Sequence, residues 1–448
     1  MADLNKRILL AGGMLAAYTV LLVLLAGVRP FWLDEVHQLS DTWQADVPLV
    51  IRHVRENPGS VPLGYLLQNR VMALAGFSRL SARLTSILFA ALGFAVFLQI
   101  ARRIGCRWPL LAGILWIVTP LQLRYAVEAR SYMQASALLV LALWCLIELL
   151  DRPSLSYSAG LALALTLAIY TQPYSAPPIL GAVAWLLIKP ATRRAATCAL
   201  AACGASAILF LPWLLARAAS WQAQNAAQGF AIQPKLPLLI VRELAGDGYL
   251  CSLPLVILAA AGLRAPRIKP AIRACLAAGV VAALGASVLS DAAFHYFFAI
   301  RQVMFAVPWI LWLAAEGIAF LSEERWKWPA LALCAVLAAA AVAKDVAYFS
   351  DRSEDWQAAA TALAAMAPPP SCIAYTGERP PKLYALFDPS LPARACRGLN
   401  AEQVAVPATR YTPAARLSAL HAELARAGYA LVDTRAAGGT RIEVFRRR

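Results

Sequence analysis

Long apolar runs recur along the first three quarters of the chain and are separated by short polar segments. The first run extends from Ile8 to Val28. Ten more follow at residues 80–101, 108–121, 131–149, 157–171, 174–188, 195–215, 249–263, 272–290, 301–321 and 328–348. A helix needs roughly 20 apolar residues to cross a hydrocarbon core, whereas a barrel strand needs about 10. The pattern therefore predicts an α-helical polytopic membrane protein with about eleven transmembrane helices.

A different pattern lies between the first two runs. Valine and isoleucine recur at helical spacing from Val47 to Val54, with charged residues between them. This pattern is typical of an amphipathic helix at a membrane surface. The sequence Asn57-Pro58-Gly59 ends it, and VPLGYLLQNRVMALAGF then begins a second short segment.

The chain changes character after Tyr348, where it becomes mostly polar. DWQAAATALAAM has the periodicity of a helix, and SCIAYTG and RIEVF have the composition of strands. We therefore predict two domains. Residues 1–348 form a transmembrane domain, and residues 349–448 form a small soluble α/β domain.

The composition agrees with a membrane protein. Hydrophobic residues make up 60% of the chain and charged residues only 15%, which excludes an ordinary soluble protein. The formal net charge is +16, but most basic residues lie in short loops between apolar runs or in the C-terminal tail. The positive-inside tendency explains this excess, and no basic stripe with interleaved aromatics is present. We therefore expect a membrane environment and no nucleic-acid partner.

The charges that flank the runs predict the topology. Lys6 and Arg7 precede the first run and place the N-terminus in the cytoplasm. An odd number of spans then places the C-terminal domain on the outer side. Short loops and the lack of eukaryotic targeting signals suit a bacterial inner membrane, where the outer side is the periplasm. An oxidising compartment would allow Cys372 and Cys396 in the tail to pair, and the sequence leaves this pairing open.

The predicted outer face collects acids and arginines that the topology does not explain. FWLDEVHQ carries the adjacent acids Asp34 and Glu35 directly after the first run. The other candidates are Arg124, Glu128, Arg130, Tyr132 and Arg301. Arginine binds phosphate through paired hydrogen bonds, and a carboxylate can accept a proton from a hydroxyl or bind a divalent ion. The cluster therefore suits an anionic, lipid-borne substrate.

Four of these candidates lie in one segment, LQLRYAVEARSYM. On a continuous helix, Arg124, Glu128 and Tyr132 share a face through i,i+4 spacing, and Arg130 points elsewhere. The segment therefore predicts an ion pair between Arg124 and Glu128, with Arg130 as a second cation. A purely structural ion pair is the alternative to a role in catalysis.

Simpler roles are available for the remaining candidates. Asp34 and Glu35 can cap a helix, and Arg301 can extend toward lipid headgroups. His53 and Glu56 are weak candidates for binding a divalent metal ion, and for His53 the alternative is a solvated side chain. No other cofactor is indicated.

Three functions compete on these residues: an enzyme acting on an anionic, lipid-borne substrate, a transporter or flippase of such lipids, and a noncatalytic assembly subunit. Ion-coupled carriers keep acids near the membrane midplane. The predicted spans are nearly free of acids, since Glu148 and Glu316 lie toward cytoplasmic ends, and the sequence has no Walker motif. These features favour the enzyme.

The order of several segments resembles the GT-C glycosyltransferases of the protein mannosyltransferase and lipid A aminoarabinose transferase type. The segments are FWLDE, NPGSVPLGYLL, PLQLRYAVEARSYM, TQPY, HYFFAIRQVMFAVPW and a late DW before a soluble tail. The resemblance covers roughly residues 8–348 and is strongest in LDE and EARSY.

The resemblance implies a GT-C-like fold and an inverting glycosyltransferase. Its donor would be a polyprenyl-phosphate-linked sugar, and its acceptor a lipid, glycan or protein at the outer face. Asp34 would be the catalytic carboxylate, with Glu35 supporting it. Glu128 and Arg130 would help build the same cavity, and Arg301 would hold the donor phosphate.

The chain departs from these relatives at two places. Many of them have an HPPLYYLL-like stretch where this chain has NPGSVPLGYLL, and a histidine where Gln172 stands. If those histidines bind a metal in the relatives, this chain uses either no metal or a different ligand set. Glu56 and His53 are the candidate substitutes.

Overall fold

The computed structural model describes residues 2–57, 60–227, 236–246, 248–294, 300–323, 326–366, 370–374, 382–392, 396, 401–409 and 412–448. Helices dominate it, as the apolar runs predict. The helices up to residue 350 are α1 (Ala2–Ala26), α2 (Leu33–Thr42), α3 (Val47–Glu56), α4 (Pro62–Ala75), α5 (Arg79–Arg103), α6 (Pro109–Val118), α7 (Pro120–Ala126), α8 (Tyr132–Asp151), α9 (Leu155–Thr171), α10 (Pro177–Ile188), α11 (Arg193–Ala227), α12 (Leu236–Glu243), α13 (Tyr249–Gly262), α14 (Pro270–Phe294), α15 (Ile300–Val303), α16 (Val307–Glu323) and α17 (Lys327–Ser350).

The described helices match the eleven predicted spans one by one. Within the part of the chain that the structure describes, seven segments are long and apolar enough to cross a membrane, namely Ile8–Ala26, Arg79–Arg103, Tyr132–Asp151, Pro190–Arg217, Pro270–Leu289, Arg301–Glu323 and Lys327–Ser350. Four shorter apolar segments coincide with the other predicted spans, namely Pro109–Val118, Leu155–Thr171, Pro173–Ile188 and Tyr249–Gly262. The polytopic helical architecture is confirmed, and the count of eleven membrane crossings stays a prediction.

Glycines allow α13 and α16 to pack closely. A Cβ atom at Gly262 of α13 would overlap the carbonyl of Leu313, and one at Gly317 of α16 would overlap the carbonyl of Leu258. Membrane helices associate through such close van der Waals packing, because lipid provides no hydrophobic driving force between them. This contact ties together two helices whose neighbours carry the candidate site.

Three short helices, α2, α3 and α4, lie between the first two spans. The predicted amphipathic helix is confirmed as α3, and Asp46 caps it by accepting a hydrogen bond from Leu49 N at 2.8 Å. Its apolar residues Val50 and Val54 are buried against Tyr65 of α4 and neighbouring side chains. The apolar face of α3 therefore packs against the protein itself.

The segment LQLRYAVEARSYM is not one continuous helix, so the i,i+4 spacing considered for it does not apply. Helix α7 ends at Ala126 and α8 begins at Tyr132, so residues 127–131 form a turn. Helix α12 is a second difference, since it is too short and too mixed in polarity to stand out as an apolar run.

The chain after α17 contains α18 (Trp356–Ala364), α19 (Lys382–Ala385), α20 (Ala414–Arg426) and a sheet of β1 (Cys372–Ile373), β2 (Gln403–Ala408), β3 (Tyr429–Ala437) and β4 (Thr440–Arg447). The described strands lie in the order β1-β2-β4-β3, with β1 parallel to β2 and the other pairs antiparallel. Gly438 and Gly439 have φ of 54° and 71°, as a two-residue hairpin turn requires. The small C-terminal sheet domain is confirmed, and its boundary at residue 349 stays a prediction.

One apolar cluster joins this C-terminal part to the helices near α2. Phe31 and Val36 lie in the same buried cluster as Trp356, Leu383 and Tyr384. The C-terminal part therefore rests on the end of the helical bundle where α2 lies.

Cys372 and Cys396 form a disulfide, with Cα atoms 5.3 Å apart. The structure thus makes the pairing that the sequence left open. The seven other cysteines, which all lie in the membrane part, are free.

Candidate active site

The turn between α7 and α8 is held by buried side chains from three other helices. Ala129 N donates to Glu35 Oε1 at 2.6 Å. Gln68 Nε2 donates to the Ala129 carbonyl at 3.3 Å, and Ser86 Oγ donates to the Arg130 carbonyl at 2.8 Å. Irregular backbone within a membrane protein is stable when its polar groups are bonded in this way. The turn therefore has one defined conformation.

Glu35 forms a buried ion pair with Arg83 of α5. Arg83 Nε donates to Oε1 at 2.9 Å and Nη2 donates to Oε2 at 2.8 Å. Arg83 also donates to the carbonyls of Ala26, Arg29 and Pro30. Glu35 is 0% exposed and Arg83 is 1% exposed. Charges this deeply buried require such pairing, so the Glu35 carboxylate is engaged in holding α2 against α5.

A cavity of about 490 Å³, called the central cavity below, lies beside this pair. Its lining includes Asp34, His37, Gln38, Asp41, His53, Glu56, Tyr65, Arg130, Tyr132, Gln172, Arg301 and Lys382. The Asp34 carboxylate forms an ion pair with the Arg301 guanidinium. Their side chains are 22% and 25% exposed, so this acid is accessible to a ligand whereas Glu35 is not.

Arg130 is a second cation next to Asp34. Its Nη1 donates to the Asp34 carbonyl at 2.9 Å, and its Nη2 donates to Tyr132 Oη at 3.1 Å. These two hydrogen bonds fix the guanidinium at the start of α8. The central cavity therefore places one accessible carboxylate between two arginines.

Arg301 also lines a second cavity of about 300 Å³, called the arginine cavity. Its lining is Arg29, Trp32, Leu121, Arg124, Tyr125, Glu128, Arg301 and Tyr348. Tyr348 Oη donates to Glu128 Oε1 at 2.6 Å. Burial, and secondly the nearby Glu35 carboxylate, raises the pKa of Glu128 to about 7 against the effects of Tyr348 and two arginines. Three arginines beside one carboxyl group with a raised pKa give this cavity a positive charge.

An apolar groove of about 580 Å³ lies between α1, α7 and α17. Its lining is Leu25, Val28, Leu123, Val342, Asp345, Val346, Phe349, Ser350 and Arg352. Leu123 of the groove is followed by Arg124 of the arginine cavity, and Tyr348 of that cavity is followed by Phe349 of the groove. A largely apolar surface therefore leads up to the arginines.

The residues predicted from the sequence divide between these spaces. The central cavity is lined by Asp34, Arg130, Tyr132 and Arg301, and also by the weaker candidates His53 and Glu56. The arginine cavity is lined by Arg124, Glu128 and Arg301. Glu35 is absent from the described lining of the central cavity, the arginine cavity and the apolar groove, because its carboxylate faces Arg83 and the backbone.

The predicted ion pair between Arg124 and Glu128 is wrong for the described side chains. The helix ends before Glu128, so the i,i+4 geometry is lost. Arg124 Nη2 instead donates to the Lys344 carbonyl at 3.3 Å, and its guanidinium lies 4.9 Å from the Tyr348 ring centroid. Tyr348 takes the place of the arginine as the partner of Glu128.

The weak metal candidates His53 and Glu56 both line the central cavity. Among the described residues, no group of three or more His, Cys, Asp or Glu side chains has metal-binding spacing. His53 Nδ1 instead lies 3.8 Å from Asp41 Oδ1, and Asn57 Nδ2 donates to Asp41 Oδ2 at 2.8 Å. Binding of a divalent ion by His53 and Glu56 stays a prediction.

Several residues that line the central cavity were not predicted from the sequence. His37, Gln38 and Asp41 follow Asp34 at i+3, i+4 and i+7, so the helical periodicity of α2 contained the signal. Lys382 is distant in sequence, and no local pattern places it at the central cavity.

A family model described as dolichyl-phosphate-mannose-protein mannosyltransferase matches residues 57–216. The matched segment contains the turn that carries Glu128 and Arg130. A search of curated proteins finds no match to the chain.

Two solved structures match the chain along nearly its whole length. Both are of ArnT from Cupriavidus metallidurans. The structure with bound undecaprenyl phosphate is 13% identical, has a TM-score of 0.62, and the match covers 98% of this chain and 98% of that chain. The apo structure is 13% identical, has a TM-score of 0.63, and the match covers 99% of this chain and 98% of that chain. These matches confirm the GT-C-like fold and, with the family model, the resemblance drawn from the motifs.

Proposed function

We propose that this protein is a membrane glycosyltransferase. It moves a sugar from a polyprenyl-phosphate donor to a hydroxyl of a lipid, glycan or protein acceptor. The ion pair between Asp34 and Arg301 carries the proposal, since it places an accessible acid and an arginine where the central cavity meets the arginine cavity. Such a transfer needs a base for the acceptor proton and a cation for the departing phosphate.

The donor phosphate binds in the arginine cavity, and its isoprenoid chain lies in the apolar groove. Arg124 Nε is buried and, in the described part of the chain, has no hydrogen-bond partner, so it is available to a phosphate oxygen. The match to ArnT with bound undecaprenyl phosphate supports a donor of this class. The charged phosphate of the donor thus lies against arginines, and its apolar isoprenoid chain lies against apolar side chains.

The donor phosphate also changes the state of Asp34. Arg301 is the ion-pair partner of Asp34, so a phosphate that binds Arg301 competes for the same guanidinium. The phosphate thereby releases the Asp34 carboxylate from its ion pair, so that the carboxylate can accept a hydrogen bond from the acceptor hydroxyl. Donor binding therefore prepares the acid for its task.

The reaction is a single displacement in the central cavity. The acceptor oxygen forms a bond to the anomeric carbon while the bond from that carbon to the phosphate oxygen breaks. The acceptor proton moves to Asp34, and the electron pair of the broken bond leaves with the polyprenyl phosphate. Arg301 and Arg124 stabilise the charge on this leaving group. One displacement inverts the configuration of the anomeric centre.

The other two predicted acids have supporting roles. Glu35 is a positioning residue, because its buried ion pair fixes α2 and hence the adjacent Asp34. Glu128 adjusts the charge of the arginine cavity through its bond to Tyr348. Arg130 and Tyr132 orient the sugar beside Asp34, because Arg130 is hydrogen-bonded both to the Asp34 carbonyl and to Tyr132.

The central cavity faces the periplasm of a bacterial inner membrane in this proposal, and the N-terminus lies in the cytoplasm. The C-terminal domain packs at the α2 end of the bundle, so the cavity and this domain share one side. A disulfide between Cys372 and Cys396 supports an oxidising compartment on that side.

A deletion strain tests the proposal. Mass spectrometry of its envelope lipids, glycans and proteins should show the loss of one sugar modification. The wild-type chain should restore it, and Asp34→Asn at equal abundance should not. Restoration by Asp34→Asn would remove this acid from the mechanism, and a defect in crossing of a labelled lipid-linked sugar would favour a flippase.

A further inference from the structure

A second opening reaches the central cavity from the C-terminal domain. It is a cleft of about 400 Å³, called the side cleft, between the end of α2 and α19. Its lining includes Ser40, Trp43, Gln44, His53, Lys382 and Ala385. His53 and Lys382 line both the side cleft and the central cavity, so the two spaces adjoin.

Lys382 is held in place by its neighbours. Leu383 and Tyr384 are both 0% exposed and lie in the apolar cluster that also contains Val36 and Leu39 of α2. The exposed Lys382 side chain is thus attached to a backbone that is docked on α2. The C-terminal domain therefore supplies a cation to the cavity that α2 lines.

The side cleft combines an aromatic surface with positive charge. Trp43 is 37% exposed, and its ring centroid lies 5.4 Å from that of Phe77, which supports it from within the protein. The described lining contains the cation Lys382 and no carboxylate. Ser40 and Gln44 add hydrogen-bonding groups. An indole beside polar groups and an ammonium suits a sugar ring that carries a negative charge.

We propose that the side cleft is the acceptor subsite, and that it binds a sugar bearing a phosphate or carboxylate group. The ring of this sugar packs on Trp43, and its anionic group pairs with Lys382. This inference rests on the proposed function, because it names the acceptor class of the same reaction. Arg301 marks the donor side of the central cavity and Lys382 marks the acceptor side, so both substrates reach Asp34 from different openings.

The first arm of the test uses the complemented deletion strain. Lys382→Glu should lower the restored modification about tenfold or more, whereas Lys382→Arg should retain most of it. Arg416→Glu is the matched control, since Arg416 is an exposed cation of the same domain outside both cavities, and it should restore fully. Purified Lys382→Glu should bind undecaprenyl phosphate as the wild type does. Full restoration by Lys382→Glu, or an equal loss of undecaprenyl phosphate binding, would overturn the subsite.

The second arm does not depend on the proposed function. Purified wild type is treated with an amine-acylating reagent, and acylation of each lysine is followed by mass spectrometry. Glucose 6-phosphate should slow acylation of Lys382 at least severalfold, and glucose should not. Lys327, exposed and outside both cavities, should react equally in all samples. If the deletion strain shows no lost sugar, the proposed function fails and this arm alone decides the subsite, with equal acylation of Lys382 overturning it.

Discussion

The buried ion pair between Glu35 and Arg83 allows a structural role of Glu35 to be distinguished from a catalytic one. We expect Glu35→Gln to destabilise the protein, because it leaves the Arg83 guanidinium buried without its counter-ion. Removing one partner of a buried ion pair typically costs about 3–5 kcal/mol. Arg83 keeps hydrogen bonds to the carbonyls of Ala26, Arg29 and Pro30, which solvate the charge in part. The lower end, about 3 kcal/mol, is therefore expected.

A double-mutant cycle measures this pairing directly. Unfolding free energies are determined for the wild type, Glu35→Gln, Arg83→Met and the double variant in the same detergent. The double variant should be more stable than the sum of the single effects predicts, since it removes both charges. The fraction of Glu35→Gln that remains folded should still bind undecaprenyl phosphate. A Glu35→Gln protein as stable as the wild type but without transfer activity would refute the positioning role and make Glu35 catalytic.

Three further predictions concern other contacts. The folded-state pKa of Glu128 is raised from 4.5 to about 7, so its stabilising contribution is complete below pH 4.5 and is lost as the pH rises through 7. Relative to Glu128→Gln, the wild type should therefore lose about 3 kcal/mol of unfolding free energy between pH 4.5 and 8. Parallel pH profiles of the two proteins would contradict this. Arg301→Lys keeps the charge but loses the paired geometry, so kcat should fall about tenfold or more, and unchanged kinetics would exclude Arg301 from phosphate stabilisation. The double change Cys372→Ser and Cys396→Ser opens a loop with a sequence separation of 24. In denaturant titrations it should lower the unfolding free energy of the C-terminal domain by about 3 kcal/mol. The effect would be absent if the disulfide does not form.

Local patterns were sufficient to predict most of the helices and several residues that line the candidate site. Each apolar run is long enough to report its own helix, and the spacing of valines predicted α3 without any knowledge of its neighbours. Asp34 was recognisable because a carboxylate directly after a span is unusual. Arg301 was recognisable because it is a charged residue directly at the start of another span.

Contacts between distant segments were not predictable in this way. The helix over LQLRYAVEARSYM has favourable local spacing, yet Glu35, Gln68 and Ser86 bond the backbone of the turn that interrupts it. These bonds come from α2, α4 and α5, so the sequence of the segment alone does not predict them. The resemblance implies that Glu35 supports the catalytic Asp34, and the sequence does not reveal its ion pair, because Arg83 lies 48 residues away inside an apolar run.

The C-terminal domain illustrates the same limit. Its helix and strand patterns predicted a small α/β domain, but its contribution of Lys382 to the central cavity depends on how α19 docks on α2. That docking rests on apolar side chains shared between two parts of the chain more than 300 residues apart.

In the proposed mechanism, Asp34 accepts the proton of the acceptor hydroxyl while Arg301 and its neighbours hold the donor phosphate. The most direct measurement compares sugar transfer by purified wild type and Asp34→Asn in liposomes that contain the lipid-linked donor, together with their affinities for undecaprenyl phosphate. Asp34→Asn should transfer sugar about 10²- to 10⁴-fold more slowly than the wild type and should keep its affinity for the lipid phosphate. Transfer by Asp34→Asn at the wild-type rate would contradict it.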